Sequence, residues 1–398
     1  MSPRILLSVG WSHAAESGRA GKDAAEMARA RLGSRRFQLA VVFGSSWFDQ
    51  PALLRGVRSC TADAPLIGGS TAGEITPEGP ASHSCVVVLL ASEALSTTAG
   101  LGEQLNDSPR EAGRAAAYGA AHDVRATPRL GFLLMADGLS LSYADMMRGI
   151  QEVVGTGALI AGGMAGDDLR FSTTWQYFND HVTKQAVVGV LLAGEGKIGV
   201  GIEHGFAPIS KPRLITKAKG HILFELDRLP AASVYEEYFG GDVVSRMRGQ
   251  GLTRQGIAYP LGVQSSAPGE WLLRNVVSLQ ADGGLSCSGD VPEGGWVQLM
   301  IGSKALALEA ARRATQQAIR PLNHIAGVLI FESVLRRKLL GQQHAALELA
   351  GIRQIIGPST PLAGCYTYGE QGPLVDSSLL RNRTVTQTGS ILVFALGS

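Results

Sequence analysis

Three stretches of the chain carry the same order of apolar, small and acidic positions. PLIGGSTAGE ends at Glu74, ALIAGGMAGD at Asp167 and PLAGCYTYGE at Glu370, and the three align without gaps. Each closes on glycine followed by a carboxylate: Gly73-Glu74, Gly166-Asp167 and Gly369-Glu370. A short apolar run of strand character precedes each one, at Leu39 to Phe43, Leu130 to Met135 and Ile325 to Phe331. Between run and motif lies a helix-like stretch. In the middle copy Met146, Ile150 and Val153 return on one face, with Ser142 as cap and Asp145 three residues on. A second helix is expected upstream of each first strand. The clearest begins Ser108-Pro109-Arg110-Glu111, a capping box with proline at the first helical position; the others lie near Gly21 to Leu32 and Leu306 to Ile319. A closing strand follows each motif, at Cys85 to Ala91, Ala186 to Ala193 and Ile391 to Ala395.

The unit therefore reads helix, strand, helix, strand, glycine–carboxylate turn, strand, repeated about three times. Strand–helix–strand implies a parallel crossover, and the last strand returns antiparallel. The fold class is α/β, with mixed sheets and helices in two domains. Ile5 to Val9 reads as a first strand. Pro208, Pro212, Pro230, Pro260 and Pro268 mark a different organisation between the second and third copies, so the division is placed at 1–208 and 209–398.

Composition narrows the class of protein. Hydrophobic residues make up 45% and charged residues 18% of 398, which fits a globular chain. A net charge of +2 without a basic stripe argues against nucleic acid. Cys60, Cys85, Cys287 and Cys365 form no CxxC pair and read as reduced thiols of a cytoplasmic protein. The apolar runs are too short to span a bilayer, and no secretory signal is expected.

The motif turns suggest binding chemistry. At the carboxyl end of a strand after a helical crossover, loops diverge and leave a crevice. Ser70, Thr71, Ala72 and Gly73 would let backbone N–H groups approach an anion while Glu74 accepts from an ammonium group, an arrangement suited to a zwitterion. Gly163, Asp167, Gly369 and Glu370 would do the same in the other copies, with Tyr366 and Tyr368 walling a pocket. The alternative is that each carboxylate ties down its own turn. Asp167-Asp168 has too few companions for a metal site. Arg213, Lys217 and Lys219 read as a solvated strand face. Glu74 and Glu370 would serve as acid and base, with Cys365 nearby, if the chain were an enzyme. No GxSxG elbow, P-loop or GxGxxG accompanies them, and a non-enzymatic role is expected.

These residues also carry a family resemblance. Pro65 to Thr76, Ala161 to Leu169 and Ala186 to Gly194 resemble the FIST N-terminal domain, and Leu362 to Glu370 with Arg381 to Thr384 resemble the FIST C-terminal domain. Ile215 to Gly240 is similar to the segment that joins them. Many members carry a cysteine where this chain has Ser333, in Phe331-Glu332-Ser333-Val334-Leu335-Arg336. The resemblance implies a bacterial signal-transduction sensor of a small ligand, an amino acid or related metabolite. It would signal through a histidine kinase, a cyclic-dinucleotide enzyme or a chemoreceptor. Arg274 and Asn382 match the family pattern as candidate contacts. Some members resemble heme-binding nitric oxide sensors. His204 is the candidate axial ligand if heme is bound, and a ligand-independent adaptor is the remaining reading.

Overall fold

A computed structural model describes residues 5–122, 128–141, 143–155, 157–247, 258–265, 270–375 and 382–398. Its first unit runs β1 (Leu6–Ser12), α1 (Ser17–Leu32), β2 (Leu39–Ser45), α2 (Gln50–Thr61), β3 (Leu66–Thr71), a hairpin of β4 (Glu74–Thr76) and β5 (Gly79–Ala81), and β6 (Cys85–Ala91). The second repeats this order as β7 (Leu95–Gly102), α3 (Pro109–Ala121), β8 (Arg129–Ala136), α4 (Tyr143–Val154) and β9 (Leu159–Met164). It closes with β10 (Gln176–Phe178), β11 (His181–Thr183) and β12 (Val187–Gly194).

The third unit opens with β13 (Lys197–His204) and is then interrupted. The insertion holds β14 (Phe206–Pro208), β15 (Arg213–Lys219), β16 (Ile222–Leu226), β17 (Leu229–Pro230), α5 (Ser233–Phe239) and α6 (Gly241–Met247). It continues with β18 (Leu261–Gln264), β19 (Trp271–Arg274), β20 (Val276–Leu279), β21 (Leu285–Cys287) and β22 (Trp296–Gly302). The unit resumes as α7 (Lys304–Ile319), β23 (Ile325–Ser333), α8 (Val334–Ile356) and β24 (Leu362–Thr367). It ends with β25 (Glu370–Val375), β26 (Asn382–Gln387) and β27 (Ser390–Gly397).

Each unit thus has a hairpin beyond the expected elements, and the second and third also have a leading strand that only the first, at Ile5 to Val9, was expected to carry. The pairs β2–β3, β8–β9 and β23–β24 are parallel, and the closing strands return antiparallel. The hairpins do not stay at home. The sheets run β1-β6-β2-β3-β10-β11, β7-β12-β8-β9-β25-β26 and β13-β27-β23-β24-β4-β5. Each unit lends its hairpin to the outer edge of another unit's sheet, and the exchange closes into a ring. The nine strands of the insertion form a fourth sheet. The 208/209 division falls inside that insertion, between β14 and β15.

One apolar core is shared by the inner faces of the three sheets, with Val41 and Phe43 from the first, Leu133 and Val190 from the second, and Phe331 and Phe394 from the third. Helices cover each outer face with a separate apolar layer. Strands β6 and β12 are buried on both faces, which explains why they read as continuous apolar runs rather than alternating ones.

The alanine-rich helices serve close backbone approach. A Cβ at Gly10 of β1 would lie 2.1 Å from the carbonyl oxygen of Ala24, and one at Gly100 of β7 would lie 1.9 Å from that of Ala116. Helices α3 and α4 cross as tightly, since a Cβ at Gly149 would lie 2.0 Å from the oxygen of Arg110. Gly149→Val must push two backbones apart. It is expected to lower stability by about 1–3 kcal/mol, read as a lower urea midpoint at unchanged slope.

The helix caps differ in part from expectation. Pro109 does open α3, but Ser108 makes no side-chain cap bond. Glu111 pairs instead with Arg114 one turn on, so no capping box forms. Ser142, expected to cap α4, lies outside the described residues.

Candidate functional site

The three glycine–carboxylate corners meet one another through backbone hydrogen bonds. Gly166 N–H donates to Ser70 O at 2.9 Å, Ala72 N–H to Tyr366 O at 2.9 Å and Tyr366 N–H to Gly73 O at 2.8 Å. Met164 N–H donates to Gly369 O at 2.8 Å, and Tyr368 N–H to Met164 O at 3.2 Å. The corners converge, but these N–H groups are committed to holding the units together. They cannot cradle an anion.

The carboxylates face inward. Glu74 is fully buried and accepts from the Thr71 hydroxyl, from Ser84 N–H at 3.1 Å and from Ser84 Oγ at 2.6 Å. Glu370 has the same partners one unit away: Thr367 Oγ1 at 2.6 Å, Ser390 N–H at 3.2 Å and Ser390 Oγ at 2.5 Å. Burial pushes the Glu74 carboxyl up to about 7 and Glu370 up to about 8, against the lowering pull of those hydrogen bonds. Each stitches its turn to the start of the closing strand, so the turn-tying alternative describes what they do.

Asp167 differs because Met164 stands where the other copies have threonine. Its carboxylate accepts from the N–H groups of Phe171 (2.9 Å), Ser172 (2.7 Å) and Thr173 (3.0 Å), and from the Tyr368 hydroxyl. Burial opposes its charge, but those donors outweigh burial and hold it below the usual carboxylate value. The Tyr368 hydroxyl in turn accepts from Leu169 N–H at 2.7 Å. Asp167 therefore orients Tyr368, whose ring stacks on Phe171 at 4.9 Å between centroids.

Most of the other expected contacts are engaged within the fold. Ser70 Oγ donates to Gly166 O and accepts from Trp175 N–H. A Cβ at Gly73 would strike the Arg337 guanidinium, one at Gly163 would meet Thr367 and Phe331, and one at Gly369 would meet Met164. Tyr366 is buried beneath Arg337, whose guanidinium carbon lies 4.6 Å from the ring centroid. Arg274 is also buried, and its guanidinium braces the carbonyls of Leu273, Asp290 and Thr386. Asn382 enters β26 through its backbone pairing with Val375.

His204 does not fit heme ligation. Its Nδ1 accepts from Phe206 N–H at 3.3 Å, which leaves Nε2 as the donor to Trp271 O at 3.0 Å. Neither nitrogen is left to bind iron.

Next to Tyr368 opens a cavity of about 360 Å³. Its walls come from loops at the carboxyl ends of parallel strands, where ligands collect in α/β sheets. Leu139, Leu141 and Tyr143 follow β8, and Leu169 and Phe171 follow the second corner. Val334 and Leu335 open α8, while Asn275, Val277 and Ser288 come from the inserted sheet. Thr388, between β26 and β27, completes the ring. No charged side chain is among these lining residues. Of the motif residues singled out from sequence, only Tyr368 reaches this cavity.

A second, more open hollow of about 660 Å³ lies behind it, bordered by His83, Asp168, Arg337, Lys338 and Gln342. Leu169 and Val334 line both hollows.

Beneath α8 sits a buried charge cluster. Arg336 Nε donates to Glu332 at 3.3 Å, and Arg336 also pairs with Glu348 and donates to Ala307 O at 2.9 Å. All three side chains are at 0% exposure. Arg336 spans the break in α8 at Gly341 (φ 66°), tying the segment that lines both hollows to the rest of the helix. Ser333, the residue that replaces the expected cysteine, caps that segment by accepting from Leu335 N–H at 3.3 Å.

The FIST N domain matches residues 38–228 and the FIST C domain residues 231–373, and the chain belongs to the FIST family. FIST domains are associated with sensing of small ligands in signal transduction. An uncharacterized protein of Mycobacterium tuberculosis (strain CDC 1551) is 28% identical over 96% of this chain and 98% of its own length. A segment covering 20% of the chain is 35% identical to 15% of an uncharacterized protein of Methanocaldococcus jannaschii. Among solved structures, a chorismatase aligns over 100% of both chains at 10% identity and a TM-score of 0.37. A cyanuric acid hydrolase of A. caulinodans aligns over 99% of this chain and 100% of its own, at 10% identity and 0.36. Likeness this weak says nothing about the chemistry of this chain. No described helix is long and apolar enough to cross a membrane.

Proposed function

We propose that the chain is a sensory module whose ligand occupies the cavity beside Tyr368, and that a partner protein reads the occupied state. The carrying observation is the position of that cavity. It is walled jointly by the second unit, the third unit and the inserted sheet, so a ligand there would touch all three at once. Its volume is that of a small-molecule pocket, with mostly apolar walls and a few polar groups.

The reading is of binding rather than catalysis. Glu74, Glu370 and Cys365 are sealed in the core, away from the cavity walls. The amino acid expected from the motif turns fits poorly here, because its two charges would meet no charged side chain among the described lining residues.

A ligand that binds only the folded protein stabilises it by RT ln(1 + [L]/Kd), about 2.7 kcal/mol at a hundred times Kd. Screening neutral and charged metabolites by thermal shift should give a rise in Tm with the true ligand. Val277→Trp, which fills the cavity from β20, should abolish that rise while leaving the unliganded Tm within about 2 °C. A ligand whose shift survives Val277→Trp binds elsewhere and overturns this reading.

A further inference from the structure

The geometry points to a neutral, amide-bearing ligand in this cavity, held by the side-chain amide of Asn275 with a flat face against Tyr368. The inference rests on the cavity reading above and narrows it.

Asn275 is 5% exposed and lines the cavity. Its backbone N–H is committed to Ser288 Oγ at 2.9 Å, but among the described residues its side-chain amide has no hydrogen-bond partner. The other polar walls are mostly spent. Tyr368 is engaged by Asp167 and Leu169, and Ser288 and Thr388 face each other at 3.3 Å. Tyr143, 4% exposed, has no hydrogen-bonded hydroxyl partner among the described residues. The cavity therefore presents an amide, which offers one donor side and one acceptor side, against mostly apolar walls.

A group that satisfies both sides of a buried amide must itself place a donor next to an acceptor. A carboxamide does so and carries no charge. A carboxylate offers only acceptors and would meet no cation among the described lining residues, and an ammonium offers only donors and would meet no anion there. Sites built to hydrogen-bond a polar group reject analogues that leave their own groups unpaired. The stacked pair of Phe171 and Tyr368 supplies the aromatic wall beside this polar point.

Benzamide, benzoate and ethylbenzene share one ring and differ in the group Asn275 would read. Their binding to the full chain can be followed by ligand-observed NMR at millimolar concentration. Benzamide is expected to bind at least ten-fold more tightly than benzoate and more tightly than ethylbenzene. Asn275→Leu should cut benzamide binding at least ten-fold while sparing ethylbenzene, which also shows that the variant is folded. Equal binding of benzamide and benzoate, or unchanged benzamide binding in Asn275→Leu, overturns the amide assignment. If the probes bind without preference and Val277→Trp displaces them, the cavity reading survives and only the ligand class fails. If no probe binds, both fail.

Discussion

Replacing Arg336 by methionine is expected to lower stability by about 3–5 kcal/mol, because it leaves Glu332 and Glu348 buried with no cation between them. The same cluster makes a contrasting forecast. One guanidinium cannot neutralise two carboxylates at zero exposure. Burial, reinforced by Glu348, pushes the Glu332 carboxyl well above its ordinary value, which favours its neutral form. Glu332→Gln keeps a neutral group of the same shape there and is expected to cost less than about 1 kcal/mol. Urea unfolding of the two variants beside the parent gives both numbers. A loss in Glu332→Gln as large as that in Arg336→Met would show that Glu332 is charged and the account of the cluster is wrong.

Stability is expected to fall as pH rises from about 5 to about 8. In an unfolded chain the Glu74 and Glu370 carboxyls lose their protons near 4.5; in the folded protein they keep them up to about 7 and about 8. The native state therefore holds more protons across this interval. Their contribution is fully present below 4.5 and is lost as pH climbs through the folded values. Two shifts of this size amount to several kcal/mol in order of magnitude. The raised Glu332 adds a slope of the same sign. Glu74→Gln combined with Glu370→Gln should flatten most of the decline, measured as Tm against pH. A parent Tm that stays level or rises between pH 5 and 8 contradicts the assignment.

The sequence carried the repeating frame well because repetition multiplies weak signals. One strand–glycine turn is common, but three gapless copies with matching flanks located β2, β3, β6 and their counterparts to within a residue or two. The hairpin exchange was not legible. The lent strands span only Glu74–Thr76 or Gln176–Phe178, and their partners lie in other units, so no local periodicity records the pairing. The leading strands β7 and β13 are equally hidden in the sequence. Gly100, Gly102, Gly199 and Gly201 interrupt their apolar pattern, and these are the places where helix backbones press closest.

The candidate site divided in the same way. Glycine beside a carboxylate was visible, but the direction of the side chain was not. Glu74 and Glu370 turn inward because Ser84 and Ser390, ten and twenty residues on, supply their donors. Tyr368 reached the cavity because Asp167 of another unit pulls on its hydroxyl. Asn275, Val277 and Ser288 sit in the proline-marked stretch whose pattern did not repeat, so no comparison between copies could pick them out. The one signal in the sequence is the adjacent Arg274, which matches the family pattern.

The inserted sheet leaves and re-enters the third unit at neighbouring points, with Ser303 N–H donating to Gly205 O at 3.4 Å and Phe206 paired to Gly302. The graft is braced against the third unit elsewhere too, by Arg274 on Thr386 O and by His204 on Trp271 O, and it furnishes the wall that bears Asn275. Mutations in this appendage that spare those braces are expected to reshape the guest's berth while leaving the three-part wheel that carries it intact. Taste and chassis are thereby free to diverge along separate lines of descent.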